Sequence, residues 1–229
     1  MAGLQARQQL TEVLEDIPSP IDLKDPLQAL RWVQDTVERR PYRLDFFRAF
    51  ARYLREHLSE PSRVLEIGSG PGHLASRLLA DVPRIAEYTL LDFSDAMHAL
   101  AQQELRAHSA VTRYVTADFR DEAAFATLEG VDVIVTMQAV HELRHKRHVG
   151  LLYRRLANIL RPAGYLLVCD HTTDNAHSAN AALFMTREEQ QLALIEAGFI
   201  QVERLWDYAG ITLHSARTPQ RLTSAMDLT

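Results

Sequence analysis

Apolar residues recur along this chain with two periods. Ahead of residue 60 they return every three or four positions: Leu27, Leu30, Val33 and Val37 after Asp25-Pro26, then Leu44, Phe47, Ala51, Leu54 and Leu58 after Pro41. That spacing predicts two helices, the first opened by an Asp cap with a proline in its first turn. Beyond Ser59-Glu60-Pro61-Ser62, short apolar runs alternate with helical patterns. Arg63–Ile67, Glu87–Leu91, Thr112–Thr116, Val131–Thr136 and Tyr165–Asp170 read as strands. Gly72–Leu79, Asp95–Arg106, Glu122–Leu128 and Arg147–Leu160 read as helices. This alternation predicts an α/β fold with a doubly wound parallel sheet. Pro162-Ala163-Gly164 reads as the turn into the fifth strand. Thr186-x-x-Glu189 is a capping box for a helix that Gly198 stops. Phe199–Trp206 and Gly210–Ala216 then read as two strands around a turn. Residues 1 to 25, with Pro18 and Pro20, read as a loosely structured lead, and the residues from Thr218 as a frayed tail.

Composition narrows the class. The chain has 229 residues, enough for one large α/β domain with additions. Its 47% hydrophobic and 24% charged residues are ordinary for a globular protein. A formal net charge of -5 gives no nucleic-acid footprint, so no nucleic-acid partner is expected. The single cysteine, Cys169, leaves no internal disulfide framework and fits a reducing cytosol. The first residues lack a signal-peptide core and no apolar run approaches a membrane span, so the expected location is cytoplasmic with no membrane partner.

The chemistry concentrates at residues 64 to 75, Val-Leu-Glu-Ile-Gly-Ser-Gly-Pro-Gly-His-Leu-Ala. A buried strand ends at Ile67. Gly68, Gly70 and Gly72 then allow a tight turn whose backbone approaches a ligand closely. A helix start behind them offers free N–H groups. A dinucleotide fingerprint needs Gly-x-Gly-x-x-Gly, whereas here the third glycine comes one residue early and His73 follows. The pattern of acid, one residue, then Gly-x-Gly-x-Gly resembles motif I of the class I S-adenosylmethionine-dependent methyltransferases.

That resemblance covers roughly residues 60 to 217. It implies a seven-stranded Rossmann-like sheet of five parallel strands and a C-terminal hairpin. The expected organisation is a helical lid over 1–60, the S-adenosylmethionine-binding domain over 61–217 and a flexible tail over 218–229. The ribose diol of S-adenosylmethionine calls for a carboxylate, and Asp92 closes the second strand where an open α/β sheet places its ligand. Phe93 and Met97 are expected to flank the adenine. Ala117, Asp118 and Phe119, after the third strand, are expected at the adenine amino group. Glu66 with the backbone of Gly68, Ser69 and Gly70 serves the amino-acid end, Met137 and Gln138 lie near the methionyl portion, and Arg43 is a candidate for its carboxylate.

Methyl transfer is an in-line displacement that depends on orientation, helped by a base where the nucleophile carries a proton. His141, after the fourth strand, is the first candidate base, with His171 after the fifth strand the second. Thr136-Met137-Gln138-Ala139 replaces the Asn/Asp-Pro-Pro-Tyr-like turn of enzymes that methylate base or glutamine amino groups. A small-molecule acceptor, with oxygen as its nucleophile, is therefore expected. Three other readings remain open: S-adenosylmethionine chemistry other than methyl transfer, an idle binding module, and a zinc hydrolase. The last comes from His141-Glu142-x-x-His145, which spells H-E-x-x-H and holds zinc when both histidines share a helix face.

Overall fold

The computed structural model describes residues 15–109, 111–174 and 180–220. Two helices lead, α1 at Pro26–Arg39 and α2 at Arg43–His57. Strand β1 (Ser62–Ile67) and helix α3 (His73–Asp81) follow, then β2 (Ile85–Asp92), α4 (Asp95–Glu104), β3 (Thr112–Thr116) and β4 (Val131–Met137). Helix α5 (Val149–Ile159), β5 (Leu160–His171), α6 (Arg187–Glu196), β6 (Ile200–Tyr208) and β7 (Ile211–Arg217) complete the chain.

The strands form one seven-stranded sheet in the order β3-β2-β1-β4-β5-β7-β6. The first five are parallel, and β7 runs antiparallel to both β5 and β6. Strands β1, β2 and β4 are buried almost throughout because helices cover both sheet faces. On one face Phe46, Phe50 and Leu54 of α2 and Leu78 of α3 pack against Val64, Leu90 and Val133. On the other, Leu152, Tyr153 and Leu156 of α5 and Leu194 of α6 cover Leu65, Ile134 and Val168. Asp25 caps α1 from its side chain, and the Thr186–Glu189 capping box is formed in full. Among the described residues, no helix is long and apolar enough to cross a membrane.

Several expectations need correction. Leu27, Leu30 and Val37 of α1 are exposed, and the helix buries Ala29 and Thr36 instead. The period located a helix but not its inward face, which is chosen by the neighbour it packs on. Residues 122–128 form only a short 3-10 turn, Glu122–Phe125. Strand β5 starts at Leu160, so Pro162-Ala163-Gly164 lies within it as an irregularity, with Ala163 at φ +62° and a register shift opposite Val131 and Val133. Residues 15–25 are tied to the domain: Ile17 N donates to Arg144 O (2.9 Å) and Ser94 Oγ to Leu23 O (2.5 Å). Thr218 is buried, donating to Arg161 O and accepting from Gly164 N. The rest of the expected tail, from 221, and the first 14 residues of the expected lid lie outside the described residues.

Candidate active site

Strands β1 and β4 are sheet neighbours, while β2 and β3 lie to one side and β5 to the other. The chain reverses its direction of winding here, so the loops after β1 and β4 part and leave a crevice of about 400 Å³. Gly68, Gly70 and Gly72 all have positive φ, at +64°, +52° and +81°. A Cβ on Gly68 would stand 2.3 Å from the Ala139 Cβ, so the two loops meet at a point only glycine permits. Beside Gly70 there is open space instead, and its backbone faces the crevice. Gly68 N and Ser69 N both donate to Leu91 O (2.8 and 3.1 Å), which fixes the turn to the end of β2. The Ser69 hydroxyl is buried without a partner.

Two acids stand at the strand ends. Asp92 accepts from Gly70 N (2.8 Å) and Ser94 N (3.0 Å). Burial raises its pKa to about 6, against the opposing pull of those N–H groups. Glu66 is almost fully buried and accepts from the Tyr88 hydroxyl at 2.7 Å. Burial pushes it to about 8, with Asp92 adding to the shift and Tyr88 and Arg43 opposing it. Arg43 stacks against Trp32 and Phe47, 5.9 and 5.6 Å from their ring centroids. Burial and the neighbouring Arg40 lower its pKa to about 10.

Phe93, Met97, Phe119, Met137 and Gln138 line the same crevice as these groups, and so do His141 and His171. Ala117 and Asp118 do not. Ala117 N donates to Asp92 O (3.0 Å), and the Asp118 carboxylate is held by the Arg120 guanidinium (2.5 Å) in an adjoining cavity. Burial opposes the Asp118 charge, but Arg120 outweighs it and holds the pKa below the usual range. An Asp placed two residues before an Arg satisfies itself locally, and the strand pattern cannot reveal that. Gly72 caps α3 and packs against Ala101 rather than facing the cavity.

At the β4 end, His141 is gripped by Asp170 from two sides. Its backbone N donates to Oδ2 (2.8 Å) and its Nδ1 pairs with Oδ1 (2.7 Å). Nε2 lies 3.3 Å from Glu142 Oε1. Burial disfavours the charged ring, yet Asp170 and Glu142 outweigh it and raise its pKa to about 10. His171 behaves oppositely: burial, then the positive charges of His141, Arg40 and Arg43, overcome Asp170 and lower it to about 4. Gln138 Nε2 donates to its Nε2 at 2.9 Å, which occupies that lone pair of the neutral ring. The sequence marked both histidines but gave Asp170 no role, because nothing in a 29-residue separation announces a pair across β4 and β5.

His141-Glu142-Leu143-Arg144-His145 is not one helix. A 3-10 turn spans Val140–Leu143, Arg144 then takes φ +65°, and a second turn begins at Lys146. His141 and His145 therefore do not share the helical face that a zinc-binding H-E-x-x-H requires. Arg144 instead anchors the N-terminal strap, donating from Nε to Ile17 O (2.6 Å) and from its terminal nitrogens to Pro18 O (2.8 Å) and Glu142 (3.2 Å). Ser19, Ile21 and Leu23 thereby line the crevice, as do Leu183 and Phe184, whose ring stands 5.8 Å from His141 and 5.2 Å from His171. The loop at 171–185 is expected from its place in the chain to shape the acceptor pocket, but Ser19, Ile21 and Leu23 are not. A strap held through its own carbonyls carries no side-chain signal.

Residues 64–164 match the family described as "Methyltransferase domain". These residues form a methyltransferase domain, and the sheet that carries it is that of the class I S-adenosylmethionine-dependent enzymes. This methyltransferase is 27% identical over 173 residues to the non-reducing polyketide synthase prhL of Penicillium brasilianum, covering 71% of this chain but only 7% of that protein. It is 32% identical over 117 residues to the malonyl-[acyl-carrier protein] O-methyltransferase of Paenibacillus sp. (strain JDR-2), covering 51% of this chain and 41% of that protein. The fold is shared with the CurJ carbon methyltransferase at TM-score 0.60 and 22% identity, over 72% of this chain and 51% of that one.

The cofactor of this methyltransferase is S-adenosylmethionine, and the crevice suits it. The space beside Gly70 would be filled by any side chain there, the buried Ser69 hydroxyl lacks a partner, and Glu66 and Asp92 present acceptors at neighbouring strand ends. An amine, a ribose diol and a carboxylate each find a complementary group among Glu66, Asp92 and Arg43.

Proposed function

We propose that this chain transfers a methyl group from S-adenosylmethionine to a small molecule bearing a weakly acidic oxygen or carbon, held as its anion against His141. The observation that carries this reading is the His141–Asp170 pair at 2.7 Å on the wall of the cofactor crevice. When bound, S-adenosylmethionine supplies a methyl carbon activated by positive sulfur. Glu66 and the Gly68–Gly70 backbone would hold its amino-acid end, Arg43 its carboxylate, Asp92 its ribose, and Phe93 and Met97 the adenine. Residues ahead of β1 act as a lid, with the strap at 15–25 covering the crevice mouth.

Asp170 keeps the His141 ring oriented and charged. A ring held at a pKa of about 10 carries a proton on each nitrogen, so it stabilises the anion that a phenol, an enol or a carbon between two carbonyls forms when its proton is lost to solvent. An ordinary alcohol is far too weak an acid to be held there as its anion. His171 stays neutral and, with Gln138, offers a polar wall beside the anion. The related proteins named for O-methyl and carbon-methyl transfer both fit an acceptor of this acidity.

The test is incubation with S-adenosylmethionine and a panel of phenols, 1,3-dicarbonyl compounds, alcohols and amines, read by S-adenosylhomocysteine release and product mass. Phenols or dicarbonyls are expected to gain a methyl group. Preference for alcohols or amines overturns the role of His141. Cofactor binding by calorimetry without turnover on any acceptor favours an idle binding module.

A further inference from the structure

A second cavity, of about 470 Å³, opens where α1, α2 and α3 meet. Arg40, Arg43 and Arg77 line it, with Glu104 as its one carboxylate. The Nε atoms of Arg43 and Arg77 are buried and have no hydrogen-bond partner. Among the described residues, neither Arg40 nor Arg43 enters an ion pair, and Arg77 meets only Asp81, at 2.6 Å. Three guanidiniums gathered on one cavity with so little compensation repel one another, and buried polar N–H groups left unpaired are costly. An anion in the cavity removes both problems, and guanidinium is the side chain best matched to a carboxylate or phosphate. Thr36, His73 and Ser76 add polar groups, and the rest of the lining is apolar: Val37 and Leu44 are 59% and 53% exposed, and Phe47 is buried.

The cavity adjoins the cofactor crevice along a shared lining, since Arg40, Arg43 and His73 belong to both. Arg77 and Phe47 line the second cavity and not the first. One cofactor carboxylate on the crevice side of Arg43 leaves Arg40 and Arg77 unanswered. We propose that this cavity is an anion subsite for the acceptor, taking a carboxylate or phosphate at the end of an apolar stem. Naming the acceptor as the ligand rests on the methyl-transfer reading; the anion site itself does not.

Trp32 reports on the site, because its ring stands 5.9 Å from the Arg43 guanidinium. The chain has two tryptophans, so Trp206→Phe leaves Trp32 as the sole emitter. In that background, octanoate and inorganic phosphate are titrated with S-adenosylhomocysteine present at saturation. A saturable change in Trp32 emission with either anion is expected. Octanoate as the tighter ligand points to a carboxylate acceptor, and phosphate as the tighter ligand to a phosphorylated one. Arg77→Gln is expected to weaken the anion about tenfold, the loss of a charge-assisted hydrogen bond, with Arg77→Lys in between. Arg77→Gln is expected to leave S-adenosylhomocysteine affinity within about twofold. Arg77 pairs with Asp81 near the surface, where the pair adds little stability, and Arg40→Gln provides a second variant. No response to either anion overturns the proposal. So does an anion that binds only when S-adenosylhomocysteine is absent, because the arginines then serve the cofactor carboxylate. Failure of S-adenosylhomocysteine to bind is read separately, counts against the cofactor site alone, and leaves the anion titration interpretable.

Discussion

Replacing Asp170 with Asn tests the electrostatics of the His141 pair. The substitution keeps the shape of the side chain and one oxygen acceptor but removes the buried charge beside the ring. The ring stands at about 10 in the folded protein against an ordinary 6.5. That displacement of roughly three and a half pH units corresponds to about 5 kcal/mol between the two protonation states. The folded value lies above the unfolded one, so the contribution is fully present below pH 6.5 and is lost as pH rises through about 10. Removing the carboxylate also removes the penalty for burying it, so the net loss of unfolding free energy at pH 6 is expected to be smaller, about 2–3 kcal/mol. The gap between wild type and Asp170→Asn is expected to close as the pH approaches 10. NMR titration of the His141 Cε1–H signal, assigned by its disappearance in His141→Gln, reads the ring directly. The wild-type ring is expected to stay charged past pH 8, and the Asp170→Asn ring to titrate near or below the ordinary histidine value. A wild-type ring that titrates near 6.5, or one indifferent to the substitution, refutes the reasoning.

Three further outcomes follow from the crevice. Asp92→Ala is expected to weaken cofactor binding by about 1–3 kcal/mol in calorimetry, and wild-type affinity should fall as pH drops through about 6, where the Asp92 carboxylate takes up its proton. Gly68→Ala places a Cβ 2.3 Å from the Ala139 Cβ at a backbone φ of +64°, so denaturant unfolding should show a loss of more than about 1 kcal/mol, only partly recovered by adding Ala139→Gly. Arg144→Ala frees the Ile17 and Pro18 carbonyls, so limited proteolysis should cut within residues 15–25 faster than in wild type, and equal rates would detach the strap from Arg144.

The sheet was legible because strands covered on both faces carry apolar runs, and β1, β2 and β4 do. The glycine turn and Asp92 were legible because backbone geometry and strand-end position restrict the residue type. What escaped was whatever depends on partners distant in sequence. The inward face of α1 is set by what it lies against, so its leucines misled. Asp170 reads as one more strand-end acid until β4 and β5 pair and bring it to His141. Asp118 has the right position for the site but a nearer partner in Arg120. The strap is held by backbone carbonyls that every residue carries, and residue type cannot announce it.

The adjacency of β1 and β4 divides labour along the gene. Glu66, the turn at 68–71, Asp92, Phe93 and Met97 line one half of the crevice, and Met137, Gln138, His141, Glu142 and Phe184 line the other. The second group can therefore drift, recombine or be mutagenised to accept new compounds while the first is left intact. At the Gly68–Ala139 contact the two halves are obliged to change in concert.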